Sequence, residues 1–405
     1  MSAAGDPGTA GDPGAGRGTR RLRVLWLVKG LGIGGAERLL VAGAGARDEA
    51  GFAIEAAYVV PVKSQLVGDL EERGVPVTCL GGGRPGAWVP RLRALLVSGR
   101  FDVVHVHSPL LAGTTRLAVR TLPKRRRPAI VTTEHNGWST FTLTTRLLNA
   151  FTAPLDDATI AVSEETRASM WWPGTRRRTA VLVHGVDLDT LRSARRHRAA
   201  VRRQLGLVDD DVAVMTVANY REQKAWPDLL AAARAVIDRG LPVRFVTVGQ
   251  GPLQAEIEAL HRRLELGDRV LLLGRRDDVP SLLAAADVFV LASTYEGYPL
   301  AVMEALGAGL PVVATAVGGV VDAVGPDSGV LVPPGRPDLL AEAVARVATD
   351  PGERARLAAG AARAGDAYDV ATAVAATETI YRRIAPPAAT ERPAPTRRRA
   401  RRSGT

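Results

Sequence analysis

Residues 293–315 read STYEGYPLAVMEALGAGLPVVAT, and their order is that of a strand end, a Glu-Gly turn, a helix beginning near Tyr298 or Pro299, a glycine-marked stop and a second strand. A helix starting there is expected to present free backbone N–H groups at 297–299 and the positive end of its dipole, which suits a phosphate. Glu296 in the turn and Glu304 within the first two helical turns then lie beside that anion site. Carboxylates repel a phosphate unless they have other partners. Sugar hydroxyls are natural ones, because an ionised carboxylate only accepts hydrogen bonds. The stretch therefore points to a sugar nucleotide rather than a bare phosphate.

Working outward, the same strand-then-helix rhythm recurs along the chain. Short apolar runs at 23–28, 54–60, 75–80, 102–107, 129–135 and 158–163 form one series, and runs at 212–219, 243–249, 269–274, 287–293, 311–315 and 329–333 form another. Strands alternating with helices predict parallel sheets covered on both faces, so the fold class is α/β with two doubly wound, Rossmann-like domains. The boundary is expected in the Arg-rich stretch near 187–210, where the apolar rhythm lapses. This gives a first domain over 21–187, a second over 188–367, and a C-terminal helix at 368–383 packing back on the first. Low-complexity segments at 1–20 and 384–405 are expected to be disordered. Open parallel sheets bind ligands beyond the carboxyl ends of their strands, so two such sheets place the reaction in the cleft between them.

Composition narrows the alternatives. The net charge is +11, of which residues 385–405 supply six Arg against Glu391, leaving +6 for the body. That surplus fits anionic small molecules, lipid headgroups or nucleic acid without choosing among them. Aromatic residues make up 4% of the chain and are not interleaved with the basic clusters at 124–127 and 176–178, which argues against stacking on single-stranded nucleic acid. Cys79 is the sole cysteine, which excludes an intrachain disulfide; following Val75 and Val77 it is expected in the core. The first 20 residues contain no apolar signal-like run, and no run reaches the roughly 18 residues needed to span a bilayer. The expected location is cytoplasmic, with an accessory peripheral contact on an anionic membrane through the basic clusters and Trp171-Trp172.

The 293–315 stretch resembles the glutamate-x7-glutamate signature of retaining GT-B glycosyltransferases, particularly glycosyltransferase family 4, with Glu296 and Glu304 in the two glutamate places. The likeness covers about residues 22–383. It implies that Glu296 contacts donor-sugar hydroxyls and Glu304 the ribose, with Gly297, Tyr298, Pro299 and Leu300 around the phosphates. Gly34 and Gly35, in GGAE after the first strand, resemble the family's glycine-rich loop. The segment 217–230, VANYREQKAWPDLL, resembles the loop bearing its basic pair, with Asn219 where Arg often stands, Ala225 where Gly does, and Arg221 as the substitute. Arg221 and Lys224 would then neutralise the leaving diphosphate. His135, in TTEHNGW, matches the place of the active-site histidine. His105 and His107 read as packing or cleft-lining residues, with no third ligand for a metal. HGVD at 184–187 resembles an N-G-V-D turn with His184 replacing Asn, GQGP at 249–252 a G-x-G-P turn including Gly249, and Gly318-Gly319-Val-Val-Asp322 a GG-x-x-E motif.

What the resemblance implies is a hexosyltransferase that moves a sugar from a nucleotide diphosphate, UDP in preference to GDP, to an acceptor hydroxyl, lipid-linked among the options. Catalytic residues are His135, Glu296, Arg221 and Lys224. The donor is held by Gly34, Gly35, Arg221, Lys224, Gly249, Gly297, Tyr298, Pro299, Leu300 and Glu304. No cofactor, metal or nucleic acid is expected. The alternatives are a GT-B-shaped epimerase or phosphorylase, and a basic protein that binds nucleic acid or a membrane surface.

Overall fold

The computed structural model describes residues 20–84 and 86–386; nearly all of the two terminal segments expected to be disordered lies outside them. The first sheet comprises β1 (Leu22–Val28), β2 (Phe52–Tyr58), β3 (Val77–Cys79), β4 (Val103–Val106), β5 (Ala129–Glu134), β6 (Ala158–Ala161) and β7 (Thr179–Val181), in the order β3-β2-β1-β4-β5-β6-β7. The second comprises β8 (Val212–Val217), β9 (Val243–Val248), β10 (Val270–Leu272), β11 (Val288–Leu291), β12 (Val312–Thr315) and β13 (Gly329–Val332), in the order β10-β9-β8-β11-β12-β13. Every pairing between these strands is parallel. Strands such as β4 (VVHV) and β12 (VVAT) are buried at every position, as two-sided helical cover requires.

In each sheet the order reverses beside the first strand, between β1 and β4 and between β8 and β11. Chains leaving these strands turn to opposite faces and open a crevice at their carboxyl ends. Five helices start there: α1 (Gly35–Ala46) after β1, α2 (Pro109–Arg120) after β4, α3 (Leu143–Thr152) after β5, α4 (Trp226–Asp238) after β8 and α5 (Leu300–Gly307) after β11. A sixth, α6 (Val370–Ile384), leaves the second domain and returns Ile380 and Tyr381 to the core of the first. The two places where the chain passes between domains are bonded together, Val186 N–H to Tyr368 O at 2.7 Å and Val370 N–H to Val186 O at 3.1 Å. Among the described residues no helix is long and apolar enough to cross a membrane.

Four local expectations are revised. Strand β7, only three residues long and directly after Arg176-Arg177-Arg178, was hidden by that basic run. The stretch after 187, expected only as the domain boundary, is helical, and it buries Leu188, Leu191 and Val201 in the second core. Cys79 is exposed, because β3 is a three-residue edge strand with partial cover. The helix after the Glu-Gly turn starts at Leu300, because Pro299 is held extended at φ −76° and ψ 117°. The 297–299 amides are therefore not its first turn, and Pro299 has no N–H at all. The N–H groups without a partner inside the helix are those of Leu300 and Ala301.

Candidate functional site

On the second-domain side, Glu296 sits just past β11 with its carboxylate held by three neighbours. Lys224 Nζ and Ser293 Oγ both donate to Oε1 at 2.5 Å, and Gln223 Nε2 approaches Oε2 at 3.4 Å. Ser293 and Lys224 thus fix one oxygen and leave the other loosely held, able to accept from a ligand hydroxyl. Lys224 closes a single 3-10 turn, Glu222–Lys224, and the next residue, Ala225, takes the left-handed conformation at φ 44° to start α4. This explains why a glycine would be favoured there. Gln223 O accepts from Thr294 N at 2.8 Å, tying the basic loop to the glutamate loop. Arg221 is exposed and, among the described residues, its guanidinium makes no hydrogen bond or ion pair.

Gly249 lies behind this loop rather than in front of it. A Cβ there would stand 2.0 Å from Ala218 O, so its glycine lets the turn after β9 close on the 218–220 backbone that carries Arg221. Tyr298 donates to or accepts from Tyr368 through their hydroxyls at 2.8 Å, which commits its polar end to the interdomain passage. Glu304 projects from α5 with no hydrogen bond among the described residues. Burial pushes its carboxyl up to about 7, against the pull of the nearby Arg38 guanidinium.

The first-domain side is different in chemistry. His105 and His107 alternate onto one face of β4 and its end, with ring centroids 4.0 Å apart. His107 Nδ1 shares a hydrogen bond with His135 Nε2 at 3.3 Å, and His135 stacks on His184 at 5.0 Å and 18° between planes. At the far end His105 is bonded to the Tyr381 hydroxyl at 2.5 Å and to Thr133 Oγ1 at 2.7 Å, while Trp26 Nε1 donates to the same tyrosine. Four imidazoles thus form a column from the cleft into the core. Burial holds His105, His107 and His135 well below the usual histidine range and His184 at about 4, so the column is neutral at pH 7. Nε2 of His107 and Nε2 of His184 are buried without a partner among the described residues. Beside the column lies a cavity of about 210 Å³ lined by Lys29, Glu37, His107, Ser108, His135 and Asn136 among others.

The two sides touch through glycine. A Cβ on Gly297 would stand 2.0 Å from His135 O, so the Glu-Gly turn meets the histidine loop backbone to backbone. Gly35 faces Leu300 at the start of α5, where an added Cβ would stand 3.6 Å from the Leu300 Cβ, and neighbouring Gly34 has the Glu37 carboxylate folded over it. The structure thus brings His135, Gly34, Gly35, Lys224, Glu296, Gly297 and Leu300 to one cleft. It sets Gly249 behind the basic loop and turns the Tyr298 hydroxyl away. Sequence reasoning did not single out Ser293, Gln223, Arg38 or His184 as site residues. Ser293, three residues before Glu296 at a strand end, is the one with a local signal. Among the described residues no group of three or more His, Cys, Asp or Glu side chains is arranged to hold a metal ion.

Two family models match the chain: Glycosyltransferase Family 4 over residues 33–190 and Glycosyl transferases group 1 over residues 197–364. A D-inositol 3-phosphate glycosyltransferase of Xylanimonas cellulosilytica is 31% identical over 326 residues, covering 73% of this chain and 75% of that one. The UDP-Gal:alpha-D-GlcNAc-diphosphoundecaprenol alpha-1,3-galactosyltransferase of Escherichia coli is 30% identical over 241 residues, 56% of this chain and 61% of that one. The chain spans about three-fifths of the length of the first curated relatives it matches, 63% and 61%. Among solved structures, Anabaena HepE in complex with UDP and glucose superposes with a TM-score of 0.79 at 22% identity, covering 89% of this chain and 99% of that one. That likeness is one of fold, and it is the GT-B arrangement of two facing Rossmann-like domains.

Proposed function

This chain belongs to glycosyltransferase family 4, and we propose that it transfers a sugar from a nucleotide diphosphate to an acceptor hydroxyl with retention at the anomeric carbon. We read the donor as UDP-linked in preference to GDP-linked, and the acceptor as a lipid-linked or other glycoconjugate hydroxyl presented on the cytoplasmic face of a membrane. The E. coli relative named for a diphosphoundecaprenol acceptor and the HepE complex with UDP favour that choice. The observation that carries the reading is the clamp of Lys224 and Ser293 on Glu296, set backbone to backbone against His135.

In this reading the diphosphate lies between Arg221, Lys224 and the free N–H groups of Leu300 and Ala301. These donors oppose the charge that develops as the glycosidic bond breaks. The loosely held oxygen of Glu296 accepts from sugar hydroxyls, and Glu304 from the ribose. In this reading no carboxylate serves as nucleophile; the acceptor attacks from the face the diphosphate leaves, and the departing phosphate oxygen takes the acceptor proton. The metal-free reading assigns the neutralising positive charge to Arg221 and Lys224, with the two backbone N–H groups adding their dipoles. His135 and the column behind it position the reacting sugar and supply no charge.

A binding and hydrolysis screen across UDP- and GDP-sugars tests this, with Glu304→Ala and Lys224→Ala as controls. Lys224→Ala is expected to lower kcat/KM by about a hundredfold to a thousandfold, the range for losing one donor to a developing anion. Unchanged donor binding and turnover in both variants would remove the assignment, and a trapped glycosyl ester on Glu296 would replace the same-face route.

A further inference from the structure

The outer side of the first domain carries a surface that the donor chemistry does not use. Helices α2 and α3 descend side by side from the cleft. Asn149 Nδ2 donates to Pro109 O at 2.9 Å, a Cβ on Gly113 would stand 2.4 Å from Leu148 Cγ, and Arg116 Nη1 reaches Thr152 Oγ1 at 3.2 Å. With their inner faces locked in this way, the outer faces carry Leu110 and Leu117 on α2 and Leu143, Leu147 and Phe151 on α3. All five are exposed, Leu143 by 64% and Phe151 by 76%. Single exposed apolar residues are ordinary, but five on two packed helices form a patch that calls for a partner.

The charge around the patch identifies the partner. Residues 103–155 contain one acid, Glu134, and it is buried in β5. Arg116 is consumed internally by Asp156 at 2.6 Å. The remaining basic residues of that stretch are Arg120, Lys124, Arg125, Arg126, Arg127 and Arg146, and among the described residues none forms an ion pair. Lys124, Arg125 and Arg126 follow the lower end of α2 as an exposed turn. The upper ends of both helices reach the cavity beside His107, which Pro109 and Phe141 help to line.

We propose that the α2–α3 face is the membrane-docking surface, with the five apolar side chains seated among the headgroups and acyl boundary of an anionic bilayer and the 124–126 turn on its phosphates. This goes beyond a general membrane contact in naming the face. It rests on the proposed function only for its purpose, to bring the cavity beside His107 to a lipid-linked acceptor. Docking itself needs no donor.

Co-sedimentation of the full chain with phosphatidylcholine vesicles, with and without phosphatidylglycerol, tests it in the absence of nucleotide sugar. Wild type is expected to bind the anionic vesicles, and replacing Lys124, Arg125 and Arg126 together by Ala should weaken this on the order of a hundredfold, at about fivefold per cation. Phe151→Glu and Leu147→Glu should also release the protein while leaving its melting temperature near wild type, since both side chains already face water. Lys224→Ala should bind vesicles as wild type does, which separates this surface from the donor site. Equal wild-type binding to both vesicle types overturns the proposal, as does retained binding in the charge and Phe151 variants. So does a wild-type dimer that ignores vesicles and is dissociated by Phe151→Glu.

Discussion

The two halves of the cleft solve different electrostatic problems with different residues. The second domain presents Arg221, Lys224, Glu296 and Glu304, with one ion pair already formed between Lys224 and Glu296. The first presents a column of four imidazoles that burial keeps uncharged. On the proposed function the second half meets a diphosphate, which needs fixed charge and donors already in place. On the same proposal the first half positions the reacting sugar through His135, which needs shape and hydrogen bonds, and a charge there would compete with the donor's own. The contrast implies that substitutions in the second domain act on donor chemistry, whereas those in the first act on fit and on tolerance to pH.

After the loss of Lys224, the largest effect in breaking that contrast is expected where the halves meet. Gly297→Ala puts a methyl group 2.0 Å from the carbonyl oxygen of His135, a backbone atom that cannot swing aside. Overpacking of this kind costs up to about 3 kcal/mol, roughly a hundredfold in kcat/KM if the halves must meet for reaction. Steady-state kinetics beside a nucleotide-sugar binding isotherm checks it. Binding is expected to fall less than turnover, and wild-type turnover would show that the halves need not touch.

Much of this arrangement was legible in the sequence, and the exceptions have physical causes. Twelve apolar runs became strands because two-sided burial demands continuous Val, Leu and Ile, while β7 has only Thr-Ala-Val after a basic run. His105 and His107 could be placed on one face because strands alternate with period two. His184 could not be joined to them, because it reaches His135 only through the meeting of segments far apart in the chain. The start of α5 was misplaced by one to two residues because the motif fixes the glutamates but not the backbone angles of Pro299. The exposure of Cys79 followed from strand order, which places β3 at an edge.

The pH response sharpens the comparison next. His184 titrates at about 4 in the folded chain against an ordinary value of 6.5. The unfolded chain therefore binds the proton first, so its stabilising contribution is complete above pH 6.5 and is lost as pH falls from 6.5 towards 4. Between pH 7 and pH 5 that one ring accounts for about 2 kcal/mol. His184→Asn is expected to lose about that much less stability over the same interval, read by denaturant melts at the two pH values. Equal acid sensitivity in variant and wild type would show that the column is not held neutral by burial.

The smallest effect is expected at Ala225, the left-handed residue that carries the chain from Lys224 into α4. Replacing it by Gly relieves about 1–2 kcal/mol of backbone strain. The same change loses about 0.8 kcal/mol for the buried methyl group and about 0.5–1 kcal/mol through the greater freedom of the unfolded chain. These contributions nearly cancel, so denaturant unfolding of Ala225→Gly should lie within about 1 kcal/mol of wild type, with donor affinity unchanged. A gain above about 2 kcal/mol would place stored strain directly behind Lys224. The charged half would then differ from the neutral one in backbone tension as well as in charge, and donor binding would have a conformational component that the Lys224–Glu296 pair alone does not supply.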